Sequence, residues 1–249
     1  MTIDPYADPD LVALYDLDNP GGEDHDYYRA LADQLDARVI IDLGCGTGLL
    51  TRTLVRPGRT VVGVDPSRTM LDYARRQPGA GAVTWVQGDA SVLAPAGTAD
   101  LVICTGNAFQ HITPAELAGA LAAVAGALRP GGVFSFETRN PAYRQWEEWT
   151  PEATYGERDT HVGRLREWLE VTEVSDGRVV FEAHNVFPDG EDRVYRSTLF
   201  FRTASELAEA LTAAGFDEVA VAGDWRGGPL TDASRVLVVR ATRAGAATR

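Results

Sequence analysis

The chain has 249 residues, 45% hydrophobic and 24% charged, ordinary values for one generous domain or a domain with an insertion, and no apolar run approaches the ~20 residues of a membrane span. Its net charge of −13 argues against a nucleic-acid partner, and because all 23 basic residues are arginine, a Walker-type lysine, a Schiff-base enzyme and a pyridoxal-phosphate anchor are excluded. The opening M-T-I-D-P-Y-A-D-P-D lacks the basic segment and apolar core of a secretion signal, so a cytoplasmic protein is expected, a monomer or homodimer whose partner is a small molecule.

Residues 1–37 are expected to form an N-terminal helical segment. Val39 to Leu43 is then an apolar strand running into Gly44, Gly46 and Gly48, whose missing side chains permit a sharp turn with exposed N–H groups. L-L-T-R-T-L-V-R reads as a crossover helix closed by Pro57 and Gly58, and T-V-V-G-V-D as a second strand ending on Asp65, 21 residues after Gly44. At that distance the tip of the next parallel strand can hydrogen-bond both hydroxyls of a ribose. Pro66 and Ser67 open a helix to about Gln77 with Met70, Leu71 and Ala74 on its apolar face, and Val83 to Val86 is strand three. Leu101 to Cys104 is an unbroken apolar run, as a parallel strand covered on both faces requires. Thr113-Pro114-Ala115-Glu116 is a capping box starting a helix that Pro130, Gly131 and Gly132 stop before strand five, Val133 to Glu137. Thr203 to Glu206 repeats that logic for a helix ending at Gly215, followed by strands at Val219 to Val221 and Val236 to Val239.

Residues 140–202 break the rhythm. Leu165 to Val174, Arg178 to Phe187 and Val194 to Phe201 alternate polar and apolar residues around the turns Asp176-Gly177 and Asp189-Gly190, the pattern of an antiparallel meander. Cys45 and Cys104 have neither zinc nor disulfide spacing, and no His or acidic pair has a metal-ligand spacing.

The glycine spacing selects the ligand. A dinucleotide fingerprint wants a third glycine where Leu49 stands, while Asp42, two residues before Gly44, would repel a pyrophosphate but could orient an ammonium. On Asp42, Gly44, Gly46 and Gly48, read as D-x-G-x-G-x-G, the chain resembles the class I S-adenosylmethionine-dependent methyltransferases of small-molecule type. The resemblance implies an α/β fold, a Rossmann-like doubly wound seven-stranded sheet of order 3-2-1-4-5-7-6 with strand seven antiparallel. It assigns residues 38–139 and 203–241 to the S-adenosylmethionine-binding domain and 140–202 to an inserted β lid over the substrate. The activity it implies is in-line methyl transfer to oxygen, nitrogen or carbon of a small metabolite, plausibly in specialised metabolism. A nicotinamide-dependent oxidoreductase and a non-catalytic S-adenosylmethionine-binding module are the competing readings; Leu49 and Asp89-Ala90 oppose the first.

The same resemblance distributes the site residues. Asp65 and Pro66 belong at the ribose, Met70 against the adenine face, and Asp89 with the Ala90 N–H at the adenine edge. Gly44, Cys45, Gly46 and Gly48 form the loop under the methionine end, covered by Tyr15, with Arg29 pairing the cofactor carboxylate. Thr105 and Asn107 lead the loop after strand four, where His111 is the candidate base, a fixed loop residue or a cofactor contact being the alternatives. Tyr28, Phe109, Glu137, Arg139, Trp146, Trp168 and His184 are the acceptor-side candidates, the last facing pocket or solvent by strand parity. The chain lacks the N-P-P-Y or D-P-P-Y signature of adenine or glutamine methylation.

Overall fold

A computed structural model describes residues 5–245, so residues 1–4 of the expected N-terminal segment lie outside the described residues. Two helices, α1 (Pro9–Asp18) and α2 (Glu23–Gln34), precede β1 (Val39–Leu43) and β2 (Thr60–Asp65). Then come α3 (Arg68–Arg75), β3 (Val83–Gln87), β4 (Ala99–Cys104), α4 (Pro114–Ala127) and β5 (Leu128–Arg139). The segment after β5 holds α5 (Pro151–Thr154), β6 (Gly156–Thr160), β7 (Gly163–Ser175), β8 (Arg178–Val186) and β9 (Asp192–Phe200). The chain closes with α6 (Ala204–Ala213), β10 (Phe216–Ala222) and β11 (Val236–Arg243).

The main sheet has seven strands in the order β3-β2-β1-β4-β5-β11-β10, with β11 antiparallel to both neighbours, the topology expected. Helices cover both faces, which is why the inner strands are nearly continuous runs of Val, Ile and Leu. On one face Val102, Phe134 and Phe136 pack with Leu121 and Val124 of α4 and Leu207 and Leu211 of α6. On the other, Ile40, Val61, Leu101 and Ile103 pack with Tyr28 and Leu31 of α2. Both capping boxes form: Thr113 and Thr203 each accept from the N–H of the glutamate three residues on, and each glutamate answers to the cap.

The crossover between β1 and β2 differs from expectation. Only Thr51–Leu54 is helical, as one 3-10 turn. The β-branched Thr51, Thr53 and Val55 resist a longer helix, and the two threonine hydroxyls have other acceptors: Thr51 donates to Asp42 Oδ2 at 2.6 Å and Thr53 to the Leu50 carbonyl at 2.7 Å.

The inserted segment is a four-stranded antiparallel sheet in chain order, β6-β7-β8-β9. The strand missed from sequence is β6, whose Gly-Glu-Arg-Asp-Thr carries no apolar alternation; it is held at the edge by pairing from Gly156 opposite Glu167 to Thr160 opposite Gly163. Asp176 and Gly177 both take positive φ, 45° and 75°, as a two-residue hairpin loop demands. The sheet rests on Trp149, with Val179, Leu199 and Phe201, and on α1, where Leu14 meets Leu165 and Phe187. Arg193 of β9 pairs with Asp8 and Asp10 at 3.0 Å each. Among the described residues no helix is long and apolar enough to cross a membrane.

Gly48 has a packing duty besides its φ of +70°: a Cβ there would run into the Trp85 indole. Gly48→Ala combines overpacking with a left-handed non-glycine residue and should cost roughly 2–4 kcal/mol, measured by urea denaturation. Unchanged stability would mean that the indole swings aside freely.

Candidate active site

The end of β2 holds the loop that follows β1. The Val64 carbonyl accepts from the N–H groups of Gly44 (2.7 Å) and Cys45 (3.1 Å), and the next free donor, Gly46 N–H, reaches Asp65 Oδ2 at 2.8 Å. The other carboxylate oxygen accepts from Ser67 N–H at 2.8 Å, fixing the start of α3. Positive φ at Gly44 and Gly46 turns these donors to one side. A Cβ on Gly44 would stand 2.8 Å from Ala108, so the loop after β4 also sits against this turn; a Cβ on Gly46 would meet nothing closer than the Tyr15 ring at 4.0 Å.

Beside the turn lies a cavity of about 700 Å³. Tyr15, Gly44, Gly46, Asp65, Pro66, Met70, Asp89, Ala90, Thr105 and His111 all border it, so one space brings together ten of the residues singled out from sequence. Asp89 is locked as the cap of the turn that follows it, accepting from Ser91 N–H at 2.8 Å, and these Ser91 bonds hold its carboxyl below the usual range. Tyr6, Ser67, Ser91 and the Glu116–Ala120 face of α4 also line the space. Sequence reasoning missed them; the small Gly119 and Ala120 were a signal of close approach, whereas nothing local marks Tyr6. Tyr6 stacks edge-on to both Tyr15 and His111, 6.4 and 5.9 Å between ring centres, and its hydroxyl lies 3.4 Å from His111 Nε2. Its carbonyl accepts from the Ser67 hydroxyl. Burial of the tyrosine pushes the Tyr15 hydroxyl far above its ordinary pKa. Desolvation, then the Arg139 charge, pulls His111 below the usual histidine value, favouring the neutral imidazole near pH 7.

A second cavity of about 520 Å³ opens on the other side of the 105–108 loop, bordered by Asn107 and Arg139 together with residues of the segment between β10 and β11. Beneath the 105–108 loop stands Glu137, 2% exposed. It accepts the Tyr28 hydroxyl at 2.5 Å and the Asn107 N–H at 2.7 Å, and Asn107 takes a left-handed φ of 58° to present that N–H. The buried carboxylate thus positions the loop that carries His111.

The other residues singled out from sequence are held by protein partners. Arg29 is drawn away from the cavity to Asp26 (2.6 Å) and the Thr53 hydroxyl (3.3 Å). Tyr28 is wholly buried on Glu137, and Phe109 turns inward to stack on Phe136 at 4.0 Å. Gly48 seats Trp85, while Cys45 packs beneath the loop near Gly63, its thiol pKa raised by burial. Trp146 braces Phe201 edge-on at 4.6 Å. Trp168 stacks on His184 at 4.5 Å, and His184 Nδ1 lies 2.8 Å from Asp192; neither residue borders either cavity. Asp42 is buried behind the loop on Thr51, with Oδ1 unpartnered, and desolvation pushes its pKa up to about 7. Among the described residues no cluster of His, Cys, Asp or Glu could hold a metal ion.

Glu137 is likewise pushed up to about 7 by burial, against an ordinary 4.5. The folded chain therefore keeps a proton that the unfolded chain releases, and stability from this group is lost as pH rises through that interval. Relative to Glu137→Gln, the unfolding free energy of the wild type should fall by roughly 1–3 kcal/mol between about pH 4.5 and 7 and level off above, read from urea denaturation across pH. A pH-independent difference would show that this carboxyl titrates normally.

A family model described as a methyltransferase domain matches residues 40–132. The chain is 30% identical to cypemycin N-terminal methyltransferase of a Streptomyces species over 209 residues, 82% of this chain and 83% of that protein. Among solved structures, the CcbJ methyltransferase from Streptomyces caelestis is similar with a TM-score of 0.76 at 23% identity, covering 98% of this chain and 100% of its own. CalS10, an amino pentose methyltransferase from Micromonospora echinaspora solved with S-adenosylmethionine bound, is similar with a TM-score of 0.66 at 26% identity, covering 91% and 93%. With the glycine turn, Asp65 and the sheet order in place, the chain belongs to the class I S-adenosylmethionine-dependent methyltransferases.

Proposed function

We propose that the chain methylates an amine nitrogen of a small-molecule acceptor. The observation that carries this reading is the single cavity running from Asp65 and Asp89 to Tyr6, Tyr15 and His111. The residues suited to a nucleoside and those suited to a reacting amine border the same space. Two relatives add weight to nitrogen, one named for an N-terminal methylation and the other for an amino pentose.

The cradle fits the donor. Gly46 leaves room where a side chain would intrude, Asp65 is preset by two N–H groups for the sugar, and Met70 and Ala90 offer the base an apolar wall. When bound, S-adenosylmethionine supplies a methyl group on a sulfonium that departs as a neutral thioether. The protein's task is alignment and exclusion of water. Tyr15, over the glycine turn, and Tyr6, over His111, do the second. An amine attacks through its lone pair, so an acceptor arriving as an ammonium must give up a proton, and the neutral His111 ring is positioned to take it.

Calorimetry with S-adenosylhomocysteine tests the donor half: Asp65→Ala should weaken binding about 100-fold, the loss of two charge-assisted hydrogen bonds. For the acceptor half, methyl-labelled donor is offered to matched panels of amines and alcohols, and label should enter amines. Label in hydroxyl acceptors alone would overturn nitrogen. In the reactive pairing, His111→Gln should lower kcat about 100-fold and abolish the fall in rate on the acid side of neutrality; an unchanged acid limb would remove His111 from proton transfer.

A further inference from the structure

Arg202 lies between β9 and α6, one residue ahead of the Thr203 cap, and borders neither cavity. Although charged, it is only 8% exposed. Its Nη2 donates to the Ile112 carbonyl at 2.5 Å, and its Cζ lies over the rings of Phe109 and Phe200, 5.8 and 5.9 Å from their centres. Among the described residues no carboxylate comes within ion-pair distance of it. Glu206, whose charge reaches it, has Oε2 taken by the Thr203 N–H and hydroxyl. Arg202 Nη1 is sealed from water with no acceptor.

A charge held in this way is costly. The slot between Phe109 and Phe200 would take an apolar side chain of similar length without that cost, so packing alone does not account for a guanidinium. What the cation adds is its grip on one carbonyl. Ile112 directly follows His111 and closes the 3-10 turn Ala108–His111, its N–H donating to the Phe109 carbonyl at 3.3 Å. A cation suits this end of a helical turn, where carbonyls are left unpaired. The turn is held at its start by Glu137 through the Asn107 N–H, in its middle by Arg139, whose Nη1 donates to Gln110 Oε1 at 2.9 Å, and at its end by Arg202. His111 stands between the last two grips. Its ring faces the Tyr6 hydroxyl, 3.4 Å from Nε2, and the charge of Arg139.

We infer that Arg202 is a positioning residue for methyl transfer: from the junction of the inserted sheet and α6 it fixes the backbone beside His111, and with it the place from which the imidazole takes the acceptor's proton. This rests on the reading of His111 as the base. Arg202 acts through another residue and borders no part of the donor cavity, so it governs kcat and leaves donor affinity alone. Its neighbour Phe201 belongs to the apolar cluster that seats the inserted sheet, and the Phe201 N–H donates to the Gly177 carbonyl at 2.6 Å. The seating of the sheet and the placement of the base therefore meet at two consecutive residues.

The test compares Arg202→Met, Arg202→Gln and Arg202→Lys with the wild type in the full chain. It uses calorimetry with S-adenosylhomocysteine, methyl transfer to an amine of the panel, and NMR titration of labelled histidine, the His111 signal being assigned by its loss in His111→Gln. Arg202→Met should lower kcat about 10-fold, with KM and S-adenosylhomocysteine affinity held within about twofold. The His111 pKa should rise toward the ordinary histidine value as the loosened loop admits water, and the acid limb of the rate should move to higher pH with it. Arg202→Lys, whose ammonium still reaches the carbonyl, should restore most of kcat. In the His111→Gln background Arg202→Met should cost nothing further. Should the methionine variant not fold, Arg202→Gln decides, with the same changes in smaller measure. Lowered stability with kcat and the His111 titration unchanged in a folded variant overturns the proposal and leaves a structural arginine, as does a full loss of rate added to that of His111→Gln. An acid limb that survives His111→Gln instead sinks the reading of His111 as the base, and the proposal with it; the Arg202 outcomes, with that limb abolished, sink the proposal alone.

Discussion

Successive N–H groups of the turn after β1 are all claimed by the last two residues of β2: the Val64 carbonyl takes Gly44 and Cys45, and the Asp65 carboxylate takes Gly46. Everything that binds depends on this clasp. It forces the left-handed backbone that only glycine adopts cheaply, it aims Asp65 at the cavity, and through Ser67 it sets the first turn of α3. Because Ala108 rests on Gly44, the loop after β4 inherits its position from the same clasp. The glycine turn and the loop that leads to His111 are thereby built on one another.

A second feature is how the site spends charge. Two carboxyls, Asp42 and Glu137, are buried beneath the loops and driven toward neutrality, where they serve as hydrogen-bond anchors rather than as ions. The groups bordering the larger cavity are of another kind: the carboxylates of Asp65 and Asp89 and an imidazole kept neutral. Net charge of −13 describes the surface and says little about this interior.

The parts of the fold legible in the sequence were those governed by local rules. Strands buried on both faces read as apolar runs, capping boxes marked α4 and α6, and Asp176-Gly177 marked a hairpin. The glycine turn with Asp65, Asp89 and His111 was legible because each stands at the carboxyl end of a parallel strand, where position in sequence translates into position in space. What stayed hidden depends on partners far along the chain. Nothing near Arg29 says that Asp26 and Thr53 hold its guanidinium, and nothing near Phe109 says that Phe136 waits beneath it. Strand parity turned His184 toward pocket or solvent, but could not foresee that Trp168 and Asp192 on the neighbouring strands cover it. The polar β6 carried no periodic signal at all.

The first helix, α1, touches both halves of the molecule. Asp16 accepts from the Thr47 hydroxyl in the glycine turn, while Leu14, Asp8 and Asp10 fasten the inserted sheet. Tyr15, between those anchors, forms part of the cavity wall. The glycine turn and the inserted sheet are thus moored to one helix, so a change that loosens α1 strains both attachments at once.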